Sequence, residues 1–600
     1  MKLITRLAIA CLVSLPATGA AAQNGWPANY EGVMLQGFYW DSYDDTKWTN
    51  LTAQADELSS YFSLIWVPNS AFCDNNVNMG YTPKYWFTNH NSSFGSERDL
   101  RNMINTFKAK GTGIIADMVI NHRVGVSTWT DFPTERWNGQ TWHIGPEGIC
   151  NTDEVRNQSG QATPTGAADT GEDFAGARDL DHTNANVQNN CKNYAKCLLE
   201  DFGYAGFRLD MVKGYGGQYT KIYNEYSRPQ FCVGEYWDGS YDAVANWIEA
   251  TGKTSAAFDF PLKYQINKAF ANNNMQELVW KALGMTDQPA GMIHYGYNRY
   301  AVTFVDNHDT GRDGSKFNGD VVAANAFILC SPGTPCIYLP HWKQYKSAIK
   351  TLIKVRNAVG VHNMSEVKVL KSSRDCYLAE VTGSKGKLAV RIGTSGDTPA
   401  GYSDADVKAS GNMYRVWTKT NIQGGDDSVE LPEELYVIGN LGENEWKTDQ
   451  SVAMIRKNDS YVIRGIEITA PQADPTSNYG YFSFVTTRGA SWDVVNQKDR
   501  WGASSEDEPI KDGQSLPLNL YPGNATASSA CSWKIPAGIY DMEANFKTHM
   551  LSVSNYSGVE NVTVSAPVEY YTLTGLRVDN PEKGIYIRHT GSRIDKVILR

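Results

Sequence analysis

The sequence predicts an α/β fold: a (β/α)8 TIM barrel with an irregular domain inserted after strand 3, a C-terminal antiparallel β domain and an additional β-sandwich module. Three observations carry this expectation. Between about residues 30 and 345, eight short and nearly continuous apolar runs alternate with helix-like stretches, as parallel strands buried on both faces do. Several of these runs end in acids or histidines, as strand ends at a barrel mouth do. Beyond residue 345 the pattern turns to alternating, turn-rich β segments.

The N-terminus comes first. Lys2 and Arg6 precede the apolar run LAIACLVSLPATG and the small-residue site Ala20-Ala21-Ala22. This reads as a signal peptide over 1–22 with Gln23 as the first mature residue, and the run is too short for a membrane span. Cys11 sits inside an apolar stretch that continues past it, which argues against lipidation. No later segment reads as a membrane span.

The barrel is expected over 23–345. Its strand-like runs are GVMLQGF (32–38), SLIWVP (63–68), GIIADMV (113–119), YAGFRLD (204–210), QFCVGEY (230–236), SAAFDF (255–260), AVTFVDN (301–307) and GTPCIYL (333–339). The third ends near Asn121 and the fourth begins near Tyr204. That gap is too long for a plain loop, so an inserted domain is expected at 122–182. After a helix, SAIKTLIKVRNAVG, an antiparallel β domain is expected over 346–420. A linker is expected at 421–433, where the acidic run GGDDSVELPEE marks the next boundary. A β-sandwich follows at 434–555, and 566–600 holds three or four short strands, too few for a core of their own.

Composition narrows the function. A formal charge of −10 argues against a nucleic-acid-binding surface, which needs clustered Lys and Arg. The 17 Trp and 33 Tyr fit either large cores or sugar platforms, because a pyranose face packs on an aromatic face. Ten cysteines leave nine after signal removal, an odd number that cannot pair fully. Cys232 and Cys330 lie in apolar runs as expected buried thiols, and Cys191 and Cys197 form the one local pair.

The chemistry sits at four strand ends. Strand three gives ADMVINH with Asp117, Asn121 and His122. Strand four gives GFRLDMVKG with Arg208, Asp210 and Lys213. Strand five gives VGEYW with Glu235, and strand seven gives FVDNHDT with His308 and Asp309. Buried acids are unfavourable unless paired or functional, and barrel topology brings these ends to one mouth.

In order and spacing these segments resemble the signature regions of glycoside hydrolase family 13, the α-amylase family. DTGEDFAGARDLDHTN (169–184), AVTFVDNHDTG (301–311) and SPGTPC (331–336) are most similar to plant-type members and their bacterial relatives. The resemblance covers about residues 30–420. It implies endo-hydrolysis of α-1,4 bonds in starch and other α-glucans by a secreted monomer. Asp210 corresponds to the nucleophile, Glu235 to the acid/base and Asp309 to the third acid. Arg208 stands two residues before Asp210, on the same strand face, where its charge is expected to keep Asp210 ionised. Glu235 needs the opposite, a raised pKa from burial and from Asp210. Tyr81 matches a stacking tyrosine, His122 and His308 match sugar-binding histidines, and Lys213 matches a leaving-group contact. Trp40 is a candidate for either the cleft wall or the core. An exo-acting or transglycosylating enzyme would use the same acids. A non-catalytic starch-binding protein should have lost one of them.

The resemblance also implies structural calcium, a hard cation taking oxygen ligands. Asn121, Asp169 and Asp179 match by side chain, Glu172 and Gly214 by backbone oxygen. Arg178 replaces a usual proline, from which a less rigid loop is expected, and LPHWKQYK after Tyr338 is shorter than in relatives. Residues 434–555 are similar to starch-binding β-sandwich modules, with Trp446, Trp492 and Trp501 as candidate platforms or core residues. The last segment resembles a type IX secretion sorting domain. With the signal peptide it implies secretion or surface display by a Gram-negative bacterium.

Overall fold

The computed structural model describes residues 25–556, apart from 74–76, 282–285, 295, 313, 423–430, 490, 522–529 and 547–548, together with the backbone of the strands between 568 and 599. The signal-peptide reading and most of the linker lie outside the described residues.

The barrel closes from eight parallel strands: β1 (Met34–Gln36), β2 (Leu64–Val67), β3 (Gly113–Met118), β4 (Gly206–Leu209), β5 (Phe231–Gly234), β6 (Ala256–Phe258), β7 (Ala301–Phe304) and β8 (Thr334–Tyr338). Sequence neighbours pair in turn, and β8 returns to β1 through Met34 opposite Cys336. Each lies inside one of the eight apolar runs. Nearly every strand side chain is buried, because helices cover the outer face and packed side chains fill the inner one. The helices show the expected start signals: Ser96, Asn184, Ser240, Asp259 and Asp320 each accept a backbone N–H in the first turn of the helix they precede.

Between β3 and the helix Ala185–Lys196 the chain forms the irregular excursion. It contains short two-stranded pairings, His122–Arg123 with Arg178–Asp179 and Glu135–Trp137 with Gln140–Trp142. A buried ion pair anchors it: Arg123 Nη2 lies 3.0 Å from Glu135 Oε1, and Glu135 also accepts the N–H groups of Trp86, Phe87 and Thr88. Those interactions satisfy a carboxylate that burial alone would disfavour. The expectation of a less rigid loop at Arg178 does not hold. Its guanidinium is buried, pairs with Asp153 and Glu154 at 2.5 and 2.6 Å, and stacks over Trp129 at 4.4 Å.

Beyond the barrel, β9 (Glu366–Ser373), β10 (Cys376–Thr382), β11 (Lys387–Ile392), β12 (Val407–Ser410) and β13 (Tyr414–Thr418) form one antiparallel sheet. Tyr377, Val390 and Val416 join the core of the barrel. Residues 436–555 form two further sheets. One centres on Tyr436–Gly439 and Tyr479–Val485, the other on Ser460–Ile468 and Gly538–Asn545. They share a separate core that includes Val437, Phe484, Trp533, Met542 and Leu551, the arrangement of a sandwich. Strands Val568–Tyr571, Arg577–Val578, Gly584–Thr590 and Arg593–Leu599 make a last small antiparallel sheet. Cys191 and Cys197 are separate buried thiols, as are Cys232 and Cys330. Among the described residues no helix is long and apolar enough to cross a membrane.

Candidate active site

Strand register assembles the site. Asp117 on β3 lies opposite Arg208 on β4, and Arg208 lies opposite Val233 on β5. Asp210 and Glu235 follow immediately after β4 and β5, so both reach the same guanidinium. Arg208 Nη1 donates to Asp210 Oδ1 at 2.6 Å and to Asp117 Oδ1 at 2.9 Å, while Nη2 lies 2.5 Å from Glu235 Oε1. Asp210 and Glu235 line a cavity of about 650 Å³ with Trp40, Tyr81, His122, Phe174, Met211, Trp237, Asp309 and Arg312. Met211, directly after Asp210, has φ of 44°, a left-handed conformation that is strained for a side chain of this kind. There its N–H donates to Glu235 Oε2 at 3.2 Å. The strained turn thus ties the loop after β4 to the acid after β5.

One cation cannot neutralise three buried acids. Burial drives the Glu235 pKa upward; Arg208 opposes this, and Asp210 and Asp309 reinforce it. Asp117 is likewise raised by burial, against the pull of Arg208. Asp309 goes the other way. Burial pushes it up, but His308, Arg312 and Arg208 outweigh this and hold it below the usual carboxylate range. The site therefore separates its acids, Glu235 favouring the protonated form and Asp309 the ionised one.

The loop carrying Asp309 is clamped from beneath. Lys263, fully buried, donates to Asp306 Oδ1 at 2.8 Å, and Thr310 Oγ1 and Phe317 N–H donate to the same oxygen at 3.1 Å. His308 is held in a chain. Gln36 Nε2 donates to its Nδ1 at 2.9 Å, so Nε2 carries the proton and faces Tyr81 Oη at 2.6 Å; Tyr81 Oη in turn donates to Asp117 Oδ2 at 3.0 Å. Burial pushes His308 down to about 3, which keeps the ring neutral at physiological pH. His122 Nε2 donates to the Tyr81 carbonyl at 2.8 Å, and its Nδ1 lies 3.2 Å from Asn121 Nδ2.

The other expected residues have these surroundings. Both histidines line or back the cavity, but their nitrogens bond protein groups, so contact with a sugar hydroxyl requires one of these bonds to be shared or released. Lys213 lies outside the cavity lining and pairs with Glu172 at 2.7 Å and Asp238 at 3.5 Å. Trp501 is a core residue of the sandwich, 7% exposed and packed edge-on against Phe546, which removes it as a sugar platform. Trp446 and Trp492 are half-buried, with ring centroids 6.4 Å apart. Trp40 belongs to the cleft wall. No motif signals Gln36 or Arg312, and Asp117 stands in the ADMVINH segment without an expected role.

A second acidic group lies in the insert. Asp169, Asp173 and Asp179 each offer an oxygen, all within 4.8 Å of one another. Burial, with Asp169, Asp153 and Asp173 nearby, pushes Asp179 up to about 8 although the Phe174 N–H bonds it. Asp169 Oδ2 is buried without a partner. Asn121 Nδ2 is 3.2 Å from Asp179 Oδ1, and a Cβ on Gly214 would come within 2.1 Å of Asn121 Oδ1, so only glycine permits this approach. Glu172 turns its side chain to Lys213, and its N–H donates to the Lys213 carbonyl at 2.9 Å. The oxygen-rich set fits a hard cation. Asp173 belongs to it, although the resemblance does not bring it forward.

Residues 62–347 match the family described as "Alpha amylase, catalytic domain", and residues 358–418 match the "Alpha-amylase C-terminal beta-sheet domain". A relative from Arabidopsis thaliana, "Alpha-amylase 3, chloroplastic", is 32% identical over 64% of this chain and 44% of its own length. "Glucan 1,4-alpha-maltotetraohydrolase" of Stutzerimonas stutzeri is 27% identical over 74% of this chain and 87% of its own. A third relative, "Probable alpha-amylase 2" of Arabidopsis thaliana, is 30% identical over 64% of this chain and 94% of its own. With that last coverage and with the catalytic-domain match spanning β2 to β8, this chain belongs to the α-amylase family.

Proposed function

We propose that the protein is a secreted, retaining glycoside hydrolase that cuts α-1,4-glucosidic bonds of starch and related α-glucans internally. One observation carries the reading: Asp210 and Glu235 meet the two terminal nitrogens of a single buried guanidinium at the wall of one cavity. Two carboxyls on one guanidinium are close neighbours. This suits the spacing of about 5–5.5 Å used by retaining enzymes rather than the wider gap that admits a water in inverting ones.

In this reading Asp210 attacks the anomeric carbon as a carboxylate. Glu235, kept protonated by its surroundings, gives its proton to the leaving oxygen. The departing chain frees room for water, Glu235 takes a proton from it, and the glycosyl–Asp210 ester is hydrolysed. Asp309, held ionised by Arg312 and Arg208, accepts hydrogen bonds from sugar hydroxyls. Tyr81 packs on the ring.

Calcium is proposed at Asp169, Asp173, Asp179 and Asn121, with backbone oxygens of Glu172 and Gly214. Its contribution is structural. It neutralises the carboxylates of the insert and joins them to the loops after β3 and β4. Residues 1–22 support export, and the last segment supports delivery to the outside of a Gram-negative cell. The half-buried Trp446 and Trp492 support starch binding by the sandwich.

Incubation with soluble starch, with and without EDTA, followed by product sizing tests the reading. Mixed oligosaccharides at early times are expected, with activity falling in EDTA and returning with calcium. A single product length from the start would replace endo-cleavage with an exo mode, and no hydrolysis in the presence of calcium would refute the activity.

A further inference from the structure

Arg312 stands three residues after Asp309 on the loop following β7, and its side chain is 48% exposed. Its guanidinium carbon lies 3.4 Å from the centroid of the Trp40 ring, and its Nη2 donates to Asp309 Oδ1 at 2.7 Å. All three side chains line the same cavity, so the guanidinium lies on the cavity side of the indole. At this distance the contact is van der Waals, and a sugar ring cannot occupy the same face. The Trp40 ring is within 8° of parallel to Tyr81, with centroids 6.1 Å apart. Trp40 and Tyr81 are thus parallel neighbours in the cavity lining, and Arg312 covers a face of Trp40. In the closed sheet β1 and β7 flank β8, across the barrel from β4 and its Lys213.

We infer that Arg312 is a displaceable cap over a glucosyl subsite on Trp40, and so a specificity-determining residue for chain length. A glucan that reaches Trp40 must exchange the guanidinium for its own ring, whereas a shorter chain that ends at Tyr81 leaves the cap in place. Planar stacking on indole is a property of arginine that lysine lacks, so the charge beside Asp309 and the cover on Trp40 can be separated. The inference rests on the reading of the cavity as an α-glucan cleft.

The test uses the full-length, calcium-loaded protein with maltotriose and maltoheptaose. Arg312→Lys and Arg312→Ala should each lower KM for maltoheptaose by about 3–10-fold, the size of a lost cation–π contact. KM for maltotriose should fall less than KM for maltoheptaose, whatever kcat does once Asp309 loses its Arg312 partner, and the double variant Arg312→Ala/Trp40→Ala should lose the gain. Unchanged or raised KM for maltoheptaose in both single variants, with the unaltered enzyme active on amylose, would overturn the cap alone. An unaltered enzyme inactive on amylose would overturn the glucan reading and the cap together.

Discussion

Two acidic clusters lie close together in this molecule, and they are solved differently. Around Arg208 the chain supplies its own cation: Asp117, Asp210 and Glu235 all contact one buried guanidinium. In the insert, Asp169, Asp173 and Asp179 crowd together around an unpartnered oxygen, and the nearest side-chain partner is the neutral amide of Asn121. Buried carboxylates need a positive partner or a proton. The first cluster can therefore be tuned to hold one acid protonated beside another that reacts. The second is the group for which calcium is proposed. Catalysis and scaffold thus use the same residue types for opposite ends.

The largest effect should come from the first cluster. Asp210→Asn is expected to lower kcat by at least about 10³-fold while Tm and starch affinity stay close to the unaltered protein; an active variant would remove the nucleophile from the account. Arg208→Met should act on both levels. It leaves three buried acids without their cation, and breaking a buried pair of this kind typically destabilises by about 3–5 kcal/mol. Chemical denaturation would show it, and unaltered stability would mean that the cluster is not held by its arginine.

The second cluster should respond to metal instead. EDTA is expected to lower Tm, and calcium to restore it, with Asp179→Asn weakening the restoration. A Tm insensitive to calcium would make the insert cluster self-sufficient and erase the contrast. Next in size is a pH effect. Glu235 must be protonated to act, and its raised pKa places the loss of activity on the alkaline side above the ordinary carboxylate range. Asp309 contributes to that rise, so in the residual activity of Asp309→Asn the alkaline limb should move to lower pH. A pH–rate profile with an unmoved or upward-shifted limb would contradict the coupling. Smallest is the sandwich. Trp446→Ala or Trp492→Ala should weaken retention on insoluble starch with little change in turnover of soluble substrate. Loss of the core Trp501 should lower stability by about 3–5 kcal/mol, with no retention defect in the protein that remains folded.

Much of the barrel was legible because its signal is local. Each strand is an unbroken apolar run, and the acids at the run ends need only the topology to converge. Arg208 and Asp210 fall on one face by strand periodicity alone. What was not legible depends on contacts across long sequence distances. Gln36 orients His308 from 272 residues away, and Lys263 clamps Asp306 from a helix with no motif of its own. Trp501 and Trp492 look alike as letters, yet Trp501 lies on a short strand and packs into the sandwich core, while Trp492 opens a one-turn helix and stays half-buried, a difference that irregular chain between short strands does not reveal. Arg178 shows the same limit. A missing proline suggests a looser loop, but partners at Asp153 and Trp129 supply the constraint instead.

The central claim is that Asp210 and Glu235 act as a retaining pair on a shared guanidinium. Proton NMR of the reducing end, recorded in the first moments of hydrolysis before mutarotation, tests it most directly. The account predicts that the newly released anomeric centre is α, the configuration of the bond that was cut. A β anomer released first would mean single displacement by water, and the roles assigned to the two acids would not stand.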